Sequence, residues 1–152
     1  MPNELCSSAD EALQYVQTIP PRQGESMVGV PFEARDLVRV GFVGVGGRGY
    51  GQLHEVLAVE GVQVTAISDA SGDAIARAGK AVEDKGQPAP ALEPDSRRLC
   101  ERDDVDIVYV CTSWESHVPI AVQAMECGKH AAIEVPAAVT LAECWQMVDT
   151  SE

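Results

Sequence analysis

A glycine-rich segment carries the clearest chemical signal in this sequence. It lies between a short apolar run and a helical pattern, and it reads Gly44-Val45-Gly46-Gly47-Arg48-Gly49. In a strand–turn–helix unit, the first glycine of G-x-G-x-x-G permits a tight turn, the second lets the backbone approach a pyrophosphate, and the third allows close helix–strand packing. The helix N-terminus adds free N–H groups. The segment therefore predicts a dinucleotide site; the other interpretation is a glycine turn without a ligand.

An acidic residue at a suitable distance supports the dinucleotide interpretation. Asp69 ends the second predicted strand and follows Gly49 by twenty residues. A carboxylate at this point accepts hydrogen bonds from ribose hydroxyls and repels the 2′-phosphate of NADP. The next residues, Ala70, Ser71 and Gly72, offer no arginine for such a phosphate. This arrangement predicts NAD as the cofactor.

Two further polar segments follow later predicted strands: Glu134-Val135-Pro136 and Thr112-Ser113-Trp114-Glu115-Ser116-His117. Ligands of open α/β sheets bind outside the carboxyl ends of the strands, so both segments are expected to face the cofactor. The residue types alone leave other roles open. Trp114 fits a core or hinge aromatic, His117 fits a capping or surface histidine, and Glu134 fits either a hydroxyl-binding or a solvated carboxylate.

The elements that must position these residues alternate between strand and helix. Short apolar runs predict five strands: Leu37–Val43, Val62–Ser68, Gln87–Leu92, Asp106–Cys111 and Lys129–Ile133. Two prolines confine the third strand to an edge of the sheet or leave that segment as a loop. Helical spacing predicts helices between the strands and a last one that opens with a capping box at Thr140 and Glu143. The alternation predicts an α/β fold with a doubly wound, Rossmann-type parallel sheet over residues 37–152.

The composition narrows the function classes. The 152 residues include 11 basic and 24 acidic side chains, which gives a formal net charge of −13. This charge disfavours phosphate backbones and anionic lipid headgroups, so we expect no nucleic-acid or membrane partner. No apolar run approaches the ~18 residues of a membrane span, and no signal-peptide pattern opens the chain, which predicts a cytoplasmic protein.

Two parts of the sequence offer no candidate site. Residues 1–36 hold four of the nine prolines and one short helical candidate, Ala9 to Val16, so they are predicted to form a partly ordered extension. The cysteines and the three histidines show no spacing that suits a metal site or a disulfide scaffold. We expect reduced, mostly buried thiols at Cys6, Cys100, Cys111, Cys127 and Cys144.

Taken together, the motifs resemble the Gfo/Idh/MocA oxidoreductase family, whose N-terminal domain is a Rossmann NAD(P) module. The resemblance comes from the glycine segment, Asp69, Thr112 to His117, and Gly128-Lys129-His130 ahead of Glu134-Val135-Pro136. Most members carry Glu-Lys-Pro there, with the lysine serving in proton transfer, and Val135 takes its place here. The turn at residues 134–138 and the tail at residues 143–152 resemble a narrower group, glycoside hydrolase family 109. That likeness covers about residues 25–152.

The narrower resemblance implies an NAD-dependent α-N-acetylgalactosaminidase. In such redox-assisted cleavage, NAD⁺ oxidises the sugar C3 hydroxyl, a base removes the acidified C2 proton, the glycosidic oxygen leaves, and the hydride returns after water adds. The family's NAD contacts correspond to Gly47, Arg48, Asp69, Trp114, His117, Glu134 and Val135. The sequence identifies no catalytic acid or base. A sugar or cyclitol dehydrogenase and a non-enzymatic NAD-binding fragment stay open as alternatives.

The resemblance also predicts that the sequence is the N-terminal portion of a longer protein. A six-stranded sheet in the order 3-2-1-4-5-6 needs a strand after the helix that ends near Thr150, and the family has a second domain that handles the sugar. We therefore expect a sheet truncated before its last strand. The fifth strand would then expose Ala131-Ala132-Ile133 as an edge that invites homo-oligomer formation.

Overall fold

The computed structural model describes residues 26–31 and 33–152, together with the single residues 8, 10 and 14. The strands are β1 (Val38–Val43), β2 (Val62–Ser68), β3 (Ala91–Glu93), β4 (Ile107–Val110) and β5 (His130–Ile133). The helices are α1 (Gly47–Val56), α2 (Gly72–Asp84), α3 (Ser96–Cys100), α4 (Trp114–Glu126) and α5 (Leu141–Ser151). Cys6 and most of the predicted helix at residues 9–16 lie outside the described residues.

All five strands pair in parallel in one sheet, in the order β3-β2-β1-β4-β5. Val40 of β1 aligns with Val64 of β2 on one side and with Ile107 of β4 on the other. The strand order therefore reverses between β1 and β4, which is where open α/β sheets bind ligands. The predicted Rossmann-type architecture is confirmed, with five strands in the part of the chain that the structure describes.

Both faces of the sheet are covered, which explains why apolar residues predominate in its strands. Phe42 and Leu53 are fully buried on one face, and Leu99 and Val108 are fully buried on the other. Burial of side chains of this size stabilises the fold by roughly 1.5–3 kcal/mol each. This packing holds the carboxyl ends of the strands, and the turns that follow them, in fixed relative positions.

The third strand begins later than the sequence pattern predicts, at Ala91 rather than Gln87. The two prolines in between have no N–H, so this stretch cannot donate to β2 as a strand would. The Gln87 side chain bonds to the edge of β2 instead. Its Nε2 donates to the Val62 carbonyl and its Oε1 accepts from the Val64 N–H, both at 2.9 Å. The short strand still occupies the predicted edge position.

The last helix, α5, begins as predicted but is only partly covered. Thr140 Oγ1 accepts from the Glu143 N–H at 3.2 Å, and the Glu143 carboxylate accepts from the Thr140 N–H at 2.9 Å, which completes the capping box. No residue of α5 is fully buried. Leu141, on the predicted apolar face, is 56% exposed because the helix packs chiefly on α4.

Candidate functional site

The glycines of the turn between β1 and α1 lack side chains for different reasons. Gly44 has a φ of +87°, and a Cβ there would lie 2.5 Å from the Cys111 carbonyl oxygen. A Cβ on Gly49 would overlap the Gly44 carbonyl, so α1 packs directly on the end of β1. By contrast, the Cβ positions of Gly46 and Gly47 face open space, with no atom within 4 Å. The turn therefore fits a dinucleotide, with free backbone where the pyrophosphate binds.

Asp69 lies at the carboxyl end of β2, beside this turn. Its Oδ2 accepts from the Val45 N–H at 2.8 Å, and its Oδ1 accepts from the Ser71 N–H at 2.8 Å. Each carboxylate oxygen has a further lone pair, so Asp69 orients the glycine turn and keeps capacity for ribose hydroxyls. The sequence predicted the position of this carboxylate. Its bond to Val45 depends on the pairing of β1 with β2.

A cleft of about 480 Å³ opens at the carboxyl ends of the central strands, a volume in the range of small-molecule sites. From the predicted set, its walls include Gly44, Gly46 and Asp69. The cleft is also lined by three residues outside the predicted set, Pro94, Ser96 and Ile120. The position of Pro94 and Ser96 after β3 was a usable signal, whereas Ile120 lines the cleft only because of the way α4 packs. Further lining residues are Val43, Ser68, Ala70, Cys111, Thr112, Ser113 and Ser116.

Two of the predicted cofactor contacts bind each other. Arg48, in the first turn of α1, donates from Nε to Glu134 Oε1 at 2.9 Å, and its Nη2 lies 2.9 Å from the same oxygen. The pair joins the glycine turn to the turn after β5. The Glu134 side chain is 15% exposed and that of Arg48 is 67% exposed, so only the guanidinium is readily reached from solvent. Burial, with the Glu134 charge adding to it, raises the pKa of the Cys111 thiol to about 11, so this thiol is not a nucleophile at neutral pH.

His117 is buried, and both of its ring nitrogens face backbone carbonyls. Nδ1 lies 2.8 Å from the Pro136 oxygen and Nε2 lies 3.1 Å from the Thr112 oxygen. Only 1% of the residue is exposed, so the surface-histidine interpretation is wrong. Carbonyl oxygens only accept, and the imidazole donates to one of them or to both according to which nitrogens carry hydrogen. His117 therefore links the turn after β4 to the turn after β5.

The remaining predicted contacts are exposed. Trp114 begins α4 and is 59% exposed, which excludes a core role, and Val135 is 76% exposed. Neither belongs to the walls of the cleft. Their contact with NAD therefore stays a prediction.

An arginine that the sequence analysis did not single out reaches the glycine turn. Arg77 donates from Nη2 to the Val45 carbonyl at 3.1 Å and lies 3.5 Å from the Gly46 carbonyl. No arginine directly follows Asp69 in the sequence, but α2 brings this one back to the turn. The sequence signal that could have indicated this contact was the place of Arg77 in a helix that begins at Gly72, close after Asp69.

The described residues give no indication of a metal ion or a membrane span. Within residues 26–31 and 33–152, no group of three His, Cys, Asp or Glu side chains is placed to hold a metal. No helix in this part is long and apolar enough to cross a membrane. Four cysteines are described, none in a disulfide: Cys100 and Cys111 are buried as predicted, Cys127 is partly buried and Cys144 is exposed.

Comparison with known proteins identifies the family. Residues 38–152 match the Gfo/Idh/MocA model, which is described as an oxidoreductase family with an NAD-binding Rossmann fold. The chain belongs to this family. A glycosyl hydrolase family 109 protein of Saccharopolyspora erythraea is 52% identical over 140 residues, which cover 90% of this chain and 30% of that protein. A protein of the same name from Streptomyces filamentosus is 50% identical over 145 residues, 93% of this chain and 29% of that one. The chain thus spans about 30% of the length of these relatives.

Solved structures of related enzymes share this fold. The myo-inositol dehydrogenase of Lactobacillus casei, solved with NAD(H) and myo-inositol, matches with a TM-score of 0.67 and 27% identity over 75% of this chain and 33% of its own. A 3-ketoreductase from Actinomadura kijaniata, solved with NADP and TDP-benzene, matches with a TM-score of 0.68 and 25% identity over 76% and 34%. Family and fold together confirm the predicted NAD-binding Rossmann domain.

Proposed function

We propose that this chain is the cofactor-binding part of a redox-assisted glycosidase that acts on α-N-acetylgalactosaminides. The observation that carries the proposal is the open backbone at Gly46 and Gly47 beside the Asp69 carboxylate, in a chain about half identical to glycosyl hydrolase family 109 proteins. NAD⁺ held there would supply a hydride acceptor beside the sugar. The chain's own residues bind and orient that cofactor.

The turn and the carboxylate divide the binding of NAD between them. The first N–H groups of α1 have no acceptor within the helix, and no side chain caps it, so their partial positive charge favours a pyrophosphate. Asp69 accepts hydrogen bonds from the adenosine ribose and repels a 2′-phosphate, which selects NAD over NADP. Arg48 neutralises Glu134 and so limits the repulsion between this carboxylate and the pyrophosphate.

Val135 stands where most family members carry the proton-transfer lysine, so proton transfer requires a different group. Val135 has no titratable group, and the buried Cys111 thiol keeps its proton at neutral pH. We therefore assign no catalytic acid or base to the turns described here. We expect residues 1–152 by themselves to bind NAD weakly and to show no glycosidase turnover, because a base must be placed at the sugar C2 hydrogen.

Titration calorimetry with NAD and NADP tests the cofactor role. Asp69→Ala is expected to weaken NAD binding by roughly 1.5–3 kcal/mol, because charge-assisted hydrogen bonds to the ribose are lost. Asp73→Ala, in the exposed first turn of α2, removes the same charge nearby and serves as the control. Equal affinity of the parent chain for NAD and NADP would contradict the assignment.

A chimera tests the glycosidase. The segment of the Saccharopolyspora erythraea relative that matches this chain is replaced by the chain, and the product is assayed with an aryl α-N-acetylgalactosaminide and NAD⁺. We expect aryl alcohol release without net NADH formation, since the redox steps cancel. A Gly46→Val chimera controls for cofactor-independent hydrolysis. Release that persists in this control, or no release from a chimera that binds NAD, would refute the proposal.

A sugar or cyclitol dehydrogenase is the second candidate, favoured by the structural match to the Lactobacillus casei myo-inositol dehydrogenase. The same chimera separates the two functions. A dehydrogenase oxidises a free polyol or sugar and accumulates one NADH per turnover, and it releases no aryl alcohol.

We place the protein in the cytoplasm, where the thiols of Cys100 and Cys111 stay reduced. A homo-oligomer is also proposed, because β5 pairs with β4 alone and leaves its other edge open in the described chain. Light scattering on the purified chain tests the oligomer: a monomer at all concentrations would contradict it.

A further inference from the structure

Arg77 contacts the glycine turn from the side of α2. Its Nη2 donates to the Val45 carbonyl at 3.1 Å, and its guanidinium carbon lies 4.2 Å above the centre of the Tyr50 ring. Among the ion pairs in the part of the chain that the structure describes, none includes Arg77. Stacking on an aromatic face holds the guanidinium in place while its charge has no carboxylate partner among the described residues.

Val45 is thereby held at both of its backbone groups. Asp69 accepts from the Val45 N–H at 2.8 Å, while Arg77 donates to the Val45 carbonyl. The Val45 side chain is fully buried and anchors the turn in the core. A negative and a positive side chain therefore converge on one residue of the phosphate-binding turn, next to the carboxylate that binds the adenosine ribose in this fold.

We propose that Arg77 is a positioning residue of the cofactor site and that, together with Asp69, it sets the choice between NAD and NADP. The inference rests on the proposed NAD-binding role. With both side chains present, Arg77 braces the turn and Asp69 repels a 2′-phosphate. Once the carboxylate is removed, its repulsion of a 2′-phosphate is gone and the positive charge of Arg77 attracts that phosphate, as arginines near this position do in NADP-binding domains.

The first test measures dissociation constants for NAD and NADP in the parent chain, Asp69→Ser, Arg77→Met and the double variant. Asp69→Ser is expected to raise NADP affinity relative to NAD by roughly tenfold, because attraction replaces repulsion at the 2′-position. Adding Arg77→Met is expected to remove this gain. Lys80→Met is the matched control, since it removes a positive charge one turn along α2 from a pair with Asp84.

The second test needs no cofactor and measures hydrogen exchange at the Val45 amide. Arg77→Met is expected to speed this exchange by roughly fivefold, since the carbonyl of the same residue loses its donor. Lys80→Met should leave it unchanged. Arg77→Lys keeps the charge but loses the planar fork and the stacking on Tyr50, so it should fall between parent and Arg77→Met.

The role of Arg77 in cofactor choice, its bracing of the turn and the proposed function are contradicted by different outcomes. NADP affinity that fails to rise in Asp69→Ser, or that stays high in the double variant, would overturn the role of Arg77 in cofactor choice. Unchanged Val45 exchange in Arg77→Met would overturn the brace. A parent chain that binds neither nucleotide would refute the proposed function and with it the cofactor choice, while the exchange measurement would still decide the brace.

Discussion

The parallel strands all begin on one side of the sheet, here called the amino edge, and all end on the opposite side, the carboxyl edge. These two sides use charged side chains in opposite ways. At the amino edge, Asp106 precedes β4 and accepts from the Nε and Nη2 atoms of Arg39 at 3.0 and 2.6 Å, with Arg35 as a second partner. At the carboxyl edge, Asp69 accepts from two backbone N–H groups. Arg48 pairs with a carboxylate there but keeps 67% of its side chain exposed.

The difference lies in how fully each charge is satisfied. Hydrogen bonds from Arg39 are the main reason that the pKa of Asp106 is held well below its ordinary value, and only 7% of the Asp106 side chain is exposed. The protein itself supplies the donors for this carboxylate. At the carboxyl edge, the open N–H groups near Gly46 and the spare lone pairs of Asp69 are available to a ligand. Full pairing stabilises the fold, and partial pairing leaves capacity for binding.

Removal of the amino-edge carboxylate should have the largest effect. Asp106→Ala is expected to lower the free energy of unfolding by about 3 kcal/mol, because Arg39 loses a sheltered bidentate partner and Arg35 loses its ion pair with the same carboxylate. Urea denaturation measures this loss, and NAD affinity should not change. Asp103→Ala, an exposed neighbour, is the control. A loss confined to NAD affinity would reverse the contrast between the two edges.

A side chain in the open part of the glycine turn should abolish binding without unfolding the sheet. Gly46→Val is expected to weaken NAD about 100-fold, roughly 2.7 kcal/mol, because it fills the space of the pyrophosphate. Gly51→Val is the control, since its Cβ position in α1 is also open. Calorimetry measures affinity and circular dichroism measures the fold. Parental affinity in Gly46→Val would show that the phosphate lies elsewhere.

Loss of the buried imidazole tests whether the carboxyl edge also needs internal bracing. His117→Phe is expected to cost about 2 kcal/mol of unfolding free energy, because the buried imidazole no longer bridges the carbonyls of Thr112 and Pro136. NAD affinity should fall roughly tenfold as the two turns separate. The exposed His54→Phe is the control for losing a ring nitrogen. Unchanged stability and affinity would mean that contacts other than those of His117 hold the two turns in position.

Acid should weaken the amino edge selectively. The Asp106 pKa is lowered on folding, so its ion pairs stabilise the protein above the unfolded-state pKa of about 3.9, and this stabilisation is lost as the pH falls further. Unfolding free energy measured at falling pH should therefore drop more steeply in the parent than in Asp106→Asn. Parallel curves would show that Asp106 does not contribute to the acid lability.

The exposed ion pair should have the smallest effect on stability. Glu134→Gln is expected to change Tm by no more than about 2 °C, because the solvated guanidinium of Arg48 loses little when its carboxylate partner is removed. Differential scanning calorimetry measures this change. A shift as large as that of Asp106→Ala would mean that the Arg48–Glu134 pair is structural, like the amino-edge cluster.

The sequence by itself determined the elements and the main binding turn. Short apolar runs, separated by segments with helical spacing, predicted the ends of four of the five strands within one or two residues. They did so because burial on both faces of a parallel sheet leaves a local signal in the sequence. The glycine pattern also predicted the tight turn and the close helix packing. A Cβ on Gly44 would collide with the chain after the adjacent strand, and a Cβ on Gly49 would collide with the Gly44 carbonyl. Asp69 followed from its distance of twenty residues from Gly49 and its position at the end of the second predicted strand.

Tertiary structure decided which of the predicted residues act together. Arg48 meets Glu134, and His117 meets Pro136, only because β1, β4 and β5 lie side by side and bring distant turns to one edge. The prolines before β3 delay its start, and the structure shows that the side-chain amide of Gln87 supplies hydrogen bonds to β2 in its place. Arg77 reaches Val45 through the packing of α2 against the glycine turn. Such contacts leave no periodic trace in the sequence, because they depend on the positions of elements in space rather than on the spacing of residues along the chain.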